Sequence, residues 1–244
     1  MIPKVAIVTG SSQGIGKSIA IRFLKAGYHV VINARSGAKL GRTEKELSKL
    51  GRVFAVKADV SVFEDCQMLI EKTLAKFGRV DVLINNAGLS MEGESQGMDP
   101  KVFQQVVAVN LLGSANMANA ALREIRRTQG QIMFVSSMAG LLGLPGYSAY
   151  SASKMAVAAL AQSLRGELQG EGVNVGLAVL GFTQNDPNKK IFNASGESVA
   201  QPKREFIKAA PVEWVADQIF TMVARRKKQA FIGPPGRMAA WATG

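Results

Sequence analysis

The chain has 244 residues, 47% of them hydrophobic, without a break in composition, which suits one large α/β domain with a substantial core and no linker or second domain. No apolar run approaches the roughly 20 residues that span a bilayer, no export pattern opens the chain, and the single cysteine, Cys66, rules out an intrachain disulfide and leaves a zinc site only carboxylates and His29, so a cytoplasmic or peripheral protein without a metal is expected. Thirty Lys plus Arg against eighteen Asp plus Glu give a formal charge of +12, a balance that often accompanies nucleic acid, anionic lipid or an acidic partner.

Residues 5–8 (VAIV) are a short, mostly β-branched run that predicts a strand covered on both faces of a parallel sheet. Thr9-Gly10 ends it, and a helix is predicted to start near Ser12. Gly10, Gly14 and Gly16 allow a tight turn, close approach of a ligand and packing of helix on strand, with free N–H groups aimed at a phosphate. Residues 18–26 complete that helix and Gly27 stops it. A second strand, 29–34, runs into Arg35-Ser36. In a dinucleotide fold the end of this strand meets the adenosine ribose, where an acid would bond the 2′-hydroxyl. Asn33, Ala34 and Arg35 stand there instead, with Lys39 close by. A guanidinium holds a 2′-phosphate by charge-assisted hydrogen bonds, so NADP(H) is expected in preference to NAD(H), unless Arg35 is an ordinary loop cation.

A polar helix is predicted to continue through 44–50 and a third strand to cover 52–60. Asp59 and Val60 at its end suit an adenine pocket, and Asp59 equally suits the cap of a helix over 62–77 that Gly78 closes. The fourth strand, 80–84, delivers Asn85-Asn86-Ala87-Gly88, polar groups and small residues that can brace neighbouring strands and approach a flat ring. A helix from Pro100 carries Asn110 among apolar neighbours, which is costly unless the amide is hydrogen-bonded, as a core amide would be. The fifth strand, 131–135, delivers Ser136 and Ser137. Tyr150 and Lys154, four apart in YSAYSASK, share a helix face, and an ammonium near a phenol lowers its pKa toward neutral. The basic clusters, Arg123, Arg126 and Arg127, then Arg225, Arg226, Lys227 and Lys228, fall at predicted helix C-termini, where they complement the dipole. No RNA-binding or zinc-finger spacing accompanies them, so nucleic acid is not an expected partner.

Taken together, these motifs over residues 5–181 resemble the short-chain dehydrogenase/reductase family in identity, order and spacing. The resemblance implies a single doubly wound, mostly parallel α/β sheet of Rossmann type in a three-layer αβα domain. Residues 9–16 match the cofactor loop, so Gly10, Ser12, Gln13, Gly14, Ile15 and Gly16 are expected cofactor ligands. Asp59 and Val60 match the adenine-contacting pair, and Asn86, Ala87 and Gly88 the N-N-A-G segment. Asn110, Ser137, Tyr150 and Lys154 match the catalytic tetrad; Ser137 is chosen because it precedes Tyr150 by the family's usual interval. The implied reaction moves a hydride between the nicotinamide and a carbonyl carbon while Tyr150 exchanges the proton and Ser137 bonds the oxygen. Lys154 would hold the ribose and depress the tyrosine pKa, and Asn110 would place a water behind it.

The match loosens after the sixth strand, 174–180, where Leu180-Gly181 replaces the family's Pro-Gly. Thr183 stands where relatives use a threonine on the cofactor. The polar segment 184–210 is long for a connection and is expected to be a substrate lid, or else a surface insert. Pro211 starts a helix with Arg225 to Lys228 late in it, and 230–233 is the last strand. The apolar tail Met238-Ala239-Ala240-Trp241 and the basic balance raise contact with a membrane surface or a lipid-like substrate; packing on the protein or a partner subunit is the stronger expectation. The resulting reading is an NADPH-preferring reductase of a small carbonyl or alcohol, homodimeric or homotetrameric by resemblance. A 3-oxoacyl reductase acting on an acyl thioester of acyl-carrier protein, and a cofactor-binding regulatory protein without turnover, are the alternatives.

Overall fold

A computed structural model of the chain describes residues 2–184, 189–201 and 209–233. The buried apolar runs become strands β1 (Val5–Val8), β2 (His29–Ala34), β3 (Val53–Lys57), β4 (Val82–Asn85), β5 (Gln131–Ser137) and β6 (Asn174–Leu180). After an antiparallel hairpin of β7 (Lys190–Phe192) and β8 (Ser198–Ala200) comes β9 (Gln229–Ile232). The sheet has the order β3-β2-β1-β4-β5-β6-β9, and every pairing within it is parallel. Alternate residues serve opposite faces, as the two-residue strand period dictates. Val5, Ile7, Leu83, Ile132 and Phe134 join one core with α3 (Phe63–Phe77), α5 (Gly113–Arg127) and α6 (Ser148–Glu167). Ala6, Val8, Val82, Ile84 and Met133 join the other with α1 (Gly14–Lys25), α2 (Gly37–Leu47) and α7 (Val212–Ala224). The result is the expected three-layer αβα sandwich.

Several local expectations are corrected. The first helix starts at Gly14 rather than near Ser12, because Gly10 (φ 63°) and Gly14 (φ 55°) hold the turn open in conformations that favour glycine. Helix α2 begins at Gly37 and ends at Leu47 because Leu40, Thr43 and Leu47 form its buried face. Asp59 does not cap α3: its Oδ1 accepts from Ser61 N (3.0 Å) and Ser61 Oγ (2.7 Å), and Asp65 of the first turn accepts from Asp59 N instead. The helix from Pro100 is α4 (Pro100–Val107), separated from α5 by a π turn at Ala108–Leu112 that contains Asn110. Arg225 to Lys228 lie beyond the end of α7 at Ala224, and the Arg226 guanidinium donates to the carbonyls of Gln129 and Gly172.

Where relatives carry proline, Leu180 stays in the ladder between Ser137 and Ile232. Gly181 N then donates to Ile232 O (2.8 Å), and Thr183 bridges Ala210, so the chain leaves the sheet still paired. Within 184–210 the described residues are 184, 189–201 and 209–210, and 190–200 form the β7–β8 hairpin. It docks on the segment after β4 through Glu92 N to Phe192 O (2.8 Å), Phe192 N to Ser90 O (3.0 Å) and the buried Ile191. Residues 185–188 and 202–208, and the apolar tail at 234–244, lie outside the described residues. Among the described residues no helix is long and apolar enough to cross a membrane.

Candidate active site

Strand order reverses between β1 and β4, and an open α/β sheet binds ligands in the crevice outside the strand ends at such a point. A cleft of about 1210 Å3 lies there, and every predicted site residue except Asn110 lines it.

One wall is the glycine turn. A Cβ on Gly10 would lie 2.8 Å from the Ala87 Cα, and one on Gly16 would lie 2.5 Å from Asn86 Nδ2, so the turn is locked against the end of β4 with no room for larger residues. Thr9 and Asn86 complete the lock. Thr9 Oγ1 accepts from Asn86 N (3.0 Å) and Ala87 N (2.9 Å), while Asn86 Nδ2 donates to Thr9 O (2.9 Å). Gln13, the N-cap of α1, makes no side-chain cap bond, and the N–H groups of Gly14, Ile15 and Gly16 in the first turn have no partner within the helix. The Gln13 Oε1 is buried without a hydrogen-bond partner. An open helix N-terminus, an orphaned buried acceptor and a backbone stripped of Cβ atoms fit the pyrophosphate and ribose of a dinucleotide.

At the far end, Asn33 turns inward and its Nδ2 donates to Val56 O (3.2 Å) and Ala58 O (3.0 Å), so it braces β2 to the end of β3. Arg35 is half-exposed, with Nη1 3.9 Å from Asp59 Oδ2. Arg35, Ser36 and Lys39 therefore present donors to this end of the cleft.

The reactive end gathers groups from β4, β5 and α6. Ser136 is buried and its Oγ donates to Lys154 O (3.2 Å), which makes it a strut between β5 and α6. Ser137 lines the cleft, and its Oγ accepts from Ala139 N (3.2 Å). Lys154 is 6% exposed; its Nζ donates to Val135 O at 2.9 Å and lies 5.9 Å from the Tyr150 ring centroid. Burial, with the nearby Lys189 charge adding to it, lowers its pKa to about 8.

Asn110 stands behind this surface, fully buried. Its Oδ1 accepts from Leu89 N (2.7 Å), and its Nδ2 donates to Leu89 O (3.0 Å) and Ser153 Oγ (2.9 Å). Both amide protons are thus used, and the side chain ties the exit of β4 to α6. A Cβ on the intervening Gly88 would lie 3.2 Å from Asn110 Oδ1 and 3.6 Å from Lys154 Nζ, so the loop passes between the two as bare backbone. Thr183 lines the cleft beside β6, its Oγ1 on Gly181 O (3.3 Å).

Lys189 and Gln201 also line the cleft, and sequence reasoning did not single them out. They pair at the open end of the hairpin, Gln201 N to Lys189 O (3.3 Å), and the Gln201 Oε1 is buried without a partner. The polar character of 184–210 was the only available signal.

Residues 4–196 match the family described as short chain dehydrogenase. The chain belongs to that family. Its members are NAD(P)-dependent oxidoreductases acting on CH–OH and C=O groups, and this chain is an enzyme of that class. It is 33% identical over 248 residues to a 3-ketodihydrosphingosine reductase of Bos taurus, covering 95% of this chain and 72% of the relative. It is 34% identical over 186 residues to the 3-oxoacyl-[acyl-carrier-protein] reductase FabG of Staphylococcus aureus, covering 75% of this chain and 76% of the relative. Other curated relatives extend further: the chain spans 59% of an 11-beta-hydroxysteroid dehydrogenase A of Sesamum indicum. Among solved structures, a short-chain dehydrogenase/reductase of Burkholderia phymatum in complex with NAD superposes with a TM-score of 0.81 at 26% identity, over 94% of this chain and 88% of that one.

Proposed function

We propose that this short-chain dehydrogenase interconverts a ketone and a secondary alcohol with NADP(H), the catalytic work falling on Ser137, Tyr150 and Lys154. The observation that carries the reading is one continuous cleft lined at one end by Arg35 and Lys39, in its middle by the glycine turn, and at the other end by Ser137, Tyr150 and Lys154. Gly10, Ser12, Gln13, Gly14, Ile15 and Gly16 would hold the pyrophosphate, Asp59 and Val60 the adenine, Arg35 a 2′-phosphate, and Asn86, Ala87, Gly88 and Thr183 the nicotinamide half. When bound, the nicotinamide supplies or accepts the hydride.

The residues do the rest. In reduction, Tyr150 O–H donates its proton to the substrate oxygen, which Ser137 O–H also bonds, so negative charge developing there is neutralised as it forms. Lys154 keeps a cation beside the phenol and favours its ionised form afterwards. Oxidation runs the same transfers backwards. Asn110 acts as a brace for Leu89 and α6. Lys189 and Gln201, which flank the β7–β8 hairpin, line the cleft; this supports a lid role for 184–210 and a lipid-like or acyl-thioester substrate. A homodimer or homotetramer in the cytoplasm completes the reading.

Titration of the purified protein with NADPH and NADH, followed by nicotinamide fluorescence, tests it. Tight NADPH binding that Arg35→Ala weakens about tenfold toward the NADH value supports the 2′-phosphate assignment; equal affinities in wild type refute it. Tyr150→Phe should bind NADPH like wild type and lose turnover, and a variant that keeps turnover overturns the mechanism. The basic surface and the likeness to FabG favour a 3-oxoacyl reductase as second reading; acyl-carrier-protein thioesters turned over far better than simple ketones would select it.

A further inference from the structure

Because all seven strands of the main sheet run parallel, every strand begins at the same end, and the helices that return the chain finish there too. That end lies opposite the cleft. Cations favoured singly at helix C-termini are therefore pooled on one face by the topology.

The pooling is densest below β3, β2 and β1. His29 N donates to Lys4 O and Val30 N to Arg52 O, both at 2.9 Å, which sets Lys4 and Arg52 on either side of the start of β2. Lys25 ends α1, and Lys49 follows α2, where the neighbouring Gly51 lies against Leu24. All four are exposed, and among the described residues none is in an ion pair. Of the carboxylates at this end, Asp81 is engaged by Arg79 and Val5 N, Glu124 by Arg127 and Glu171 by Arg126, whereas the exposed Glu167 at the end of α6 is in no ion pair among the described residues. At the opposite edge Lys227 and Lys228 continue the charge, with Lys228 O accepting from Leu177 N and Arg165 Nη2. Strands about 4.8 Å apart make this end roughly 30 Å wide.

Two large aliphatic side chains stand on the same corner. Ile2 is 75% exposed and Leu50 43% exposed. A soluble polyanion has no use for them, whereas a bilayer surface takes aliphatic groups below its headgroups while lysines and arginines meet the phosphates.

We propose that the strand-start end of the sheet docks on a membrane surface rich in anionic lipid. Lys4, Lys25, Lys49 and Arg52 meet the headgroups, Ile2 and Leu50 insert between them, and the cleft faces the aqueous phase.

The full chain is sedimented with vesicles of phosphatidylcholine alone and of phosphatidylcholine with about 30% phosphatidylserine, at about 50 mM and about 500 mM salt. Binding is expected only to the anionic vesicles and about tenfold weaker at the higher salt. The quadruple variant Lys4→Glu, Lys25→Glu, Lys49→Glu, Arg52→Glu should lose it while keeping NADPH binding, and Lys72→Glu with Lys101→Glu should not. Ile2→Ser with Leu50→Ser, both at exposed positions, should weaken vesicle binding severalfold and leave retention on heparin unchanged. Failure of the wild type to pellet with anionic vesicles, equal pelleting with neutral ones, or pelleting of the quadruple variant overturns the proposal. So does tighter binding of duplex DNA than of anionic vesicles together with indifference to the Ile2 and Leu50 changes, which would make the face a nucleic-acid surface.

Discussion

Replacing Lys154 by methionine should stabilise the fold near neutral pH and destabilise it in strong base. Lys154 carries its charge into the interior with a carbonyl, Val135 O, as hydrogen-bond partner and no carboxylate in ion-pair range among the described residues. Its pKa falls from 10.5 to about 8 because burial penalises the ammonium. At about 1.4 kcal/mol per pH unit, folding with the protonated lysine costs about 3 kcal/mol. Below pH 8 both folded and unfolded chains hold the proton, and that cost is present in full. Between pH 8 and 10.5 the unfolded chain binds more protons, so wild-type stability rises with pH until the cost has vanished. Methionine removes the charge at similar volume and leaves Val135 O without its donor, a loss of about 2 kcal/mol at every pH. The variant should therefore be about 1 kcal/mol more stable than wild type near pH 7 and about 2 kcal/mol less stable near pH 11. Urea unfolding followed by tryptophan fluorescence and far-ultraviolet circular dichroism across that range measures both, and subtracting the two profiles cancels every other titrating group. Parallel profiles with no crossing would mean that Lys154 is not carried as a buried charge, and its role beside Tyr150 would have to be rebuilt. Turnover should fall steeply in the variant whatever its stability.

Gly16→Ala places a methyl group against Asn86 Nδ2 and the Gly10 carbonyl; NADPH affinity by fluorescence titration should drop at least about tenfold, with about 1–3 kcal/mol lost from stability. Gly166→Ala makes the opposite case, since Gly166 lies in α6 with nothing near its missing Cβ and no positive φ; thermal unfolding should show a gain of about 0.5–1 kcal/mol with activity unchanged. The two adjacent serines should separate cleanly: Ser137→Ala should lower kcat by about 100-fold without weakening NADPH binding, while Ser136→Ala, losing only its bond to Lys154 O, should cost about 1 kcal/mol of stability and little turnover.

What sequence revealed follows from where side chains alone decide the structure. Strands β2 and β6 fall where the buried runs predict, because β-branched residues bracketed by turn residues leave no competing arrangement. The glycine turn and Tyr150-Lys154 were legible because their spacing is itself the chemistry. The end of α2 was placed too late, at 50, because the polar run continues past Leu47, the last residue of the helix's buried face. The π turn was invisible: one extra residue per turn barely disturbs hydrophobic spacing, and only the lone polar Asn110 marked the place. Asp59 lost the expected capping role because its Oδ1 is taken by Ser61 N and Ser61 Oγ, a choice that depends on atomic positions. Lys189 and Gln201 sit on a hairpin too short and polar for periodicity to disclose.

The basic clusters show a different limit. Taken one at a time, each is an ordinary helix end, and Arg126 and Arg127 are indeed consumed by Glu171 and Glu124. Only the parallel order of the strands brings Lys4, Lys25, Lys49 and Arg52 onto one face, residues from the start of the chain and two separate turns that no single sequence window would group. The same order sets the cleft at the other end, where β1, β4 and β5 finish together and Asn110 fixes the spacing of Gly88 from Lys154. A single choice, that every strand of the main sheet points the same way, thus separates the charge of this molecule from its chemistry. Catalysis and surface attachment can then be altered independently, because no residue proposed for one lines the other.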